Sequence, residues 1–172
     1  MDILGKLFGS ESKVKIMRLF LFNPETPFVA ETVADRIKGG LSSVRQELGT
    51  LRQMKLIRPK SFRVRIVKRK NGKQRTVHRK LSGFALNASF PYLQELQRLL
   101  LNKSLLQGEE IRKRLASAGK LKLVIIAGLF IQNPESRLDI LVVGDHLRKP
   151  QIRHKIKAME SEIGKELRYA AF

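Results

Sequence analysis

The chain has 172 residues, 42% of them hydrophobic, enough for one compact domain or two small ones with real cores. It has no cysteine, which excludes a disulfide framework and a thiolate zinc site, and His78, His146 and His154 are too scattered for a metal-ligand pattern. Thirty-five Lys and Arg against fifteen Asp and Glu give a formal net charge of +20, a single-sign field that calls for a polyanionic partner.

In chain order, residues 12 to 22 read as a helix, with Val14, Ile16, Met17, Phe20 and Leu21 near the helical period, ended by Asn23-Pro24. A second short helix follows Pro27 on Val29, Val33 and Ile37. Gly39-Gly40 stops it and supplies the backbone freedom for a tight turn. A third helix opens at Ser42-Ser43, both good N-caps, and keeps Val44, Leu48 and Leu51 on one face. Leu56-Ile57 leads to a break at Arg58-Pro59. Residues 62 to 66 alternate apolar and basic, a half-buried strand. Asn71-Gly72 is a two-residue hairpin turn, and residues 76 to 81 return as the partner strand.

The tail changes character. Residues 92 to 101 form a Leu-rich helix, with Leu93, Leu96, Leu99 and Leu100 either in the core or, as we expect, at a homodimer seam. Residues 107 to 118 are a further helix closed by Gly119. Residues 121 to 126 and 138 to 143 are continuous apolar runs, as in a sheet buried on both faces. A helix over 150 to 167 and a last short strand over 169 to 172 complete a small α/β unit. The apolar stretch 121 to 131, interrupted by Lys122, is too short to span a bilayer, and the N-terminus lacks the pattern of a signal peptide, so a cytoplasmic protein is expected.

The basic charge is uneven. No acidic residue lies between Glu47 and Glu95, where thirteen Lys and Arg fall, eleven of them at positions 58 to 80. Charge that only solubilises mixes both signs. An anionic membrane surface fits less well than nucleic acid, since no basic amphipathic helix carries this charge. On the third helix the face opposite Val44, Leu48 and Leu51 holds Ser42, Gln46, Gly49, Thr50 and Gln53, flanked by Ser43 and Arg45. These are hydroxyls for phosphates, and Arg and Gln side chains able to contact guanine and adenine edges in pairs of hydrogen bonds. Gly49 costs helix stability but lets a backbone approach closely. Around the hairpin turn, Lys68, Arg69, Lys70, Lys73 and Arg75 put five cations where a wing would lie along a phosphate backbone.

Residues 10 to 88 resemble the winged-helix domains of prokaryotic transcriptional regulators of the arsenical-resistance-repressor type. The resemblance is carried by FVAETVADRI (28 to 37), LSSVRQEL (41 to 48) and LRQMKLI (51 to 57). Residues 121 to 172 resemble the minimal nucleotidyltransferase domain through Gly128-Leu129-Phe130 and SRLDILVVG (136 to 144). The active family pattern has a Gly-Ser pair and two Asp at i and i+2. Here Leu129 stands in place of the Ser, Arg137 takes the first carboxylate position, and only Asp139 remains. An arginine in place of a ligand repels a metal, so the resemblance implies a degenerate copy, with Arg137 and Asp139 paired on one strand face. Asp145-His146 is no acid/base pair, since adjacent strand residues point apart.

The expected architecture is thus α+β: a winged helix-turn-helix over 1–88, connecting or dimerisation helices over 89–119, and a degenerate nucleotidyltransferase-like α/β domain over 120–172. The expected function is a homodimeric regulator of transcription that binds double-stranded DNA, with no catalytic residue, metal, cofactor or membrane partner. The alternatives are an RNA- or ribosome-associated protein, and an active nucleotidyltransferase with a nucleic-acid-binding head.

Overall fold

The computed structural model describes residues 3–70, 73–101, 108–131, 133 and 135–172, apart from the side chains of 66–70 and 73–75. The chain is a mixed α+β protein. Ile3–Leu7 forms a short helix, α1, that periodicity did not signal. Glu11–Phe22 forms α2, and the Ser10 hydroxyl caps it by accepting the Lys13 N–H at 3.2 Å.

Ala30–Ile37 forms α3 and Leu41–Gln53 forms α4, joined by a turn that differs from the expected one. The left-handed residue is Lys38 (φ 54°), not either glycine, and the Gly39 N–H closes α3 on the Ala34 carbonyl at 3.0 Å. Gly40 stands at the N-cap, so Ser42 and Ser43 lie inside the first turn of α4 and do not cap it.

Ile57–Lys70 (β1) and Lys73–Leu86 (β2) pair antiparallel from Ile57↔Leu86 to Lys70↔Lys73. At 14 residues a strand, this ribbon is about 45 Å long, far beyond the expected 62 to 66 and 76 to 81. The hairpin turn assigned to Asn71-Gly72 lies outside the described residues. Arg58-Pro59 is not a break. Phe84 spends its N–H and C=O on Phe28 (2.8 and 2.9 Å), so Pro59↔Phe84 is a pair without ladder bonds and the missing N–H of Pro59 costs none.

A first core joins α2, α3, α4 and the base of the ribbon through Phe20, Val33, Ile37, Val44, Leu48, Leu51, Leu56, Ile57 and Leu86. Leu93–Leu100 (α5) lies on this core through Leu93, Leu96 and Leu100, which leaves Leu99, 46% exposed, as the outward leucine of the row.

A second core is built by Gly108–Leu115 (α6), Lys120–Ile126 (β3), Ile140–Asp145 (β4), Lys149–Ile163 (α7) and Tyr169–Ala171 (β5). Gln107, where α6 was expected to begin, lies outside the described residues. The sheet order is β3-β4-β5, antiparallel then parallel. Ile111, Leu115, Ile140, Val142, Ile152, Ile156 and Met159 fill the space between helices and sheet. The sheet is covered on one face, not two. Leu123 (50% exposed) and Ile125 (45%) stand on the open face, with Val143 and Leu141 opposite them in register. Both α6 and α7 pack on the same side of the sheet.

The two cores meet where α7 crosses α2 and α3. The buried Arg18 guanidinium donates to Leu100 O (3.1 Å) and Glu162 O (3.2 Å), so one side chain ties α2, α5 and α7 together. The Asn23 amide donates to Gly164 O at 3.0 Å, and Arg36 pairs with Glu166 at 2.8 Å. At Gly164 (φ 85°) a Cβ would lie 2.5 Å from Leu19 N, so glycine both ends α7 and admits the α2 backbone. The helix therefore stops at Ile163, short of the expected residue 167. Among the described residues no helix is long and apolar enough to cross a membrane.

Candidate nucleic-acid interface

α4 keeps Val44, Leu48 and Leu51 in the core, so the three-to-four-residue spacing of its apolar side chains aims the rest outward. Ser42, Ser43, Arg45, Gln46 and Gln53 are exposed and Thr50 half-buried, its hydroxyl donating to Gln46 O at 3.2 Å. At Gly49 a Cβ would meet nothing within 4 Å, so the glycine is not needed for packing. Arg45 has a partner that sequence reasoning missed. Its Nη2 lies 2.9 Å from Glu31 Oε1 of α3, with both side chains more than half exposed. A backbone hydrogen bond and the Arg45 hydrogen bond hold the Glu31 carboxyl below its ordinary value. Exposed pairs of this kind are weak and open readily to a competing anion.

The ribbon shows a second pattern. Residues two apart on a strand share a face. The set that begins at the core with Ile57, Leu86 and Phe84 continues outward as Arg63 opposite Lys80 and Arg65 opposite His78. The other set holds Phe62, Val64, Val77 and Leu81, all half-buried. Register places Lys68 opposite Arg75 and Lys70 opposite Lys73, while Arg69 faces Gln74; the side chains of all five predicted wing cations lie outside the described residues. Directly opposed like charges destabilise a ladder by roughly 0.2–1 kcal/mol each. Arg63, Arg65, Arg79 and Lys80 are exposed, and none has a carboxylate partner among the described residues. Their signal was in the sequence, in the alternation of 62 to 66 and in the basic run at 79 and 80.

In the second core Asp139 is 2% exposed and its carboxylate is saturated. Oδ1 accepts from Leu129 N (2.8 Å) and Arg168 Nη2 (3.2 Å). Oδ2 accepts from Arg168 N (2.8 Å) and Arg168 Nε (3.1 Å). Burial alone would raise this carboxyl. The bonds from Arg168 and the Leu129 N–H outweigh burial and hold it below the ordinary value. The expected Arg137–Asp139 pair is not formed. Both residues precede β4, so strand alternation does not govern them, and Arg137 is exposed while Arg168, 29 residues on, closes on Asp139. No spacing signal reveals a partner that far along the chain. Gly128 (φ 51°) makes the turn possible, since a Cβ there would fall 2.1 Å from Asp139 Oδ1. Asp145 pairs with Lys122 at 2.7 Å, and His146 turns away in the left-handed region (φ 52°).

The arrangement thus sets a polar helix face and a basic ribbon face on the first half of the chain. Comparison with protein-family models, with curated proteins and with solved structures gives no match.

Proposed function

We propose that the protein binds double-stranded DNA and regulates transcription. In this reading α2, α3, α4 and the ribbon act as a winged helix-turn-helix, with α4 in the major groove and β1–β2 as the wing on phosphates. The observation that carries it is the register of the ribbon. The register sets Arg63 opposite Lys80, Lys68 opposite Arg75 and Lys70 opposite Lys73, and like charges opposed across a ladder cost stability unless a polyanion neutralises them. The outward Ser42, Ser43, Gln46 and Gln53 supply donors suited to phosphates and base edges.

The C-terminal unit is proposed as a nucleotidyltransferase-like fold without catalysis. The support is Asp139, whose two oxygens accept four hydrogen bonds, all that a carboxylate ordinarily takes, and have none left for a metal. For a homodimer, α5 offers only Leu99, since Leu93, Leu96 and Leu100 pack on their own chain.

The test is a binding titration of the full chain against duplex DNA and structured RNA of equal length over a range of salt. Duplex preference with log K falling by about 0.9 per phosphate contact per log unit of salt is expected. Tighter binding to RNA at every salt concentration would overturn the DNA reading, and Mg²⁺-dependent transfer of a labelled nucleotide would overturn the non-catalytic one.

A further inference from the structure

We infer that α7 carries a second phosphate track, continuous with the turn between α3 and α4, which lengthens the DNA footprint beyond the helix-turn-helix and wing. The inference rests on the duplex-binding reading above.

Lys149, Arg153 and Lys157 recur every four residues along α7 and are exposed, on a strip beside the Ile152, Ile156, Met159 and Ile163 that fill the second core. With His154 they line one shallow groove on the helix surface. Four residues advance a helix by about 6 Å, close to the roughly 7 Å of duplex axis that two base pairs occupy along one strand. The three cations can therefore follow one phosphate strand in step.

These charges are not placed for the protein's own benefit. Arg112, Arg114, Lys122 and Arg168 in this half pair with carboxylates, but Lys149 and Arg153 have no ion-pair partner among the described residues. They also stand in the first turns of α7, which contain no acidic residue, at the helix end where the macrodipole disfavours cations. Position supplies the link to the helix-turn-helix. The Arg18 and Asn23 hydrogen bonds and the Arg36–Glu166 pair fasten α7 to α2 and α3. Lys157, held by Glu160 at 2.8 Å, lines the same cleft as Lys38, the left-handed residue that leads into α4. From Lys38 the cations continue along α7 through Lys157 and Arg153 to Lys149.

The experiment compares the parent with a Lys149→Gln, Arg153→Gln, Lys157→Gln variant. It uses a duplex just long enough for α4 and the ribbon, and the same duplex lengthened by about 4 base pairs at each end, the span of α7 from residue 149 to 157. Affinity is followed against salt, and circular dichroism checks the fold. The expected result is a parent that gains affinity on the longer duplex, and a variant that gains none and has a salt slope shallower by about 2.7 there. Arg153→Gln alone is expected to lower the slope by about 0.9, a readout that survives if the triple variant folds poorly. Equal slopes for parent and both variants on the long duplex overturn the α7 track while leaving duplex binding intact. A parent that binds no duplex, or that binds anionic vesicles in preference to it, overturns the track and the DNA reading together.

Discussion

In the ribbon, Arg63 faces Lys80 across the ladder and neither has a carboxylate partner among the described residues. In the second core, Arg168 closes on Asp139, Lys122 on Asp145, and Arg114 on both Glu110 and Glu162. Both regions carry basic residues on or beside β-strands. They differ in what neutralises the charge. At these positions of the second half the protein supplies its own anions, unlike at Lys149 and Arg153, and the pairs help to hold the sheet and helices together. On the ribbon no anion pairs with these cations among the described residues, which is the ground for proposing a partner from outside. Unpaired like charge in register is thus a better pointer to function than net charge, because net charge alone also rises in proteins that merely stay soluble.

The largest effect is expected from the ribbon. Replacing Lys68, Arg69, Lys70, Lys73 and Arg75 by Ala should weaken binding to every duplex sequence and lower the salt slope by about 4.5, if each cation meets one phosphate. Thermal unfolding of the same variant should be unchanged or slightly later, since repulsion across the ladder is relieved. An unchanged slope would erase the contrast with the second core.

Asp139 should behave in the opposite way. Asp139→Ala leaves the Leu129 and Arg168 N–H groups without their acceptor and should cost about 1–3 kcal/mol in urea unfolding, with duplex binding retained. The pH dependence has a fixed sign. The folded carboxyl titrates below its ordinary value of 3.8, so its contribution is complete above that value and is lost as the pH falls through the lower, folded one. The gap between parent and Asp139→Asn should therefore be widest near neutrality and narrow in acid. A gap that widens in acid would contradict the bonding described for the turn.

Arg45→Ala and Gln46→Ala should each remove about 1–3 kcal/mol of discrimination at one base-pair position. Selection of binding sites from a random duplex pool measures this. If both variants select the parent's sites, α4 does not read sequence. The smallest effect separates binding from stability at a single atom. Gly49→Ala adds a methyl group into open space and should stabilise α4 by up to about 1 kcal/mol. Weaker duplex binding by the same variant would place a backbone approach at this turn of the helix, and unaltered binding would remove Gly49 from the interface.

Much of this is legible in the sequence. The apolar spacing of Val44, Leu48 and Leu51 located α4 and, by subtraction, its outward face, because a 3.6-residue period and a requirement for burial leave one orientation. The alternation of 62 to 66 marked the ribbon, and the run of cations marked its charge. What stayed hidden were matters of distance along the chain. The apolar composition of β3 and β4 reads the same whether one face is covered or two. Leu123 and Ile125 are open because α6 and α7 pack on the other side. Sequence order paired Arg137 with Asp139, two residues apart. The tertiary structure paired Asp139 with Arg168, because the parallel strand β5 brings that residue's N–H and guanidinium onto both oxygens. The sequence by itself determined most helices with their buried faces and the concentration of charge, since each depends on local periodicity and composition. Only the tertiary structure decided which charges are neutralised within the chain and which are left unpaired among the described residues. Neutralisation depends on approach in space, and the chain's order does not encode that directly.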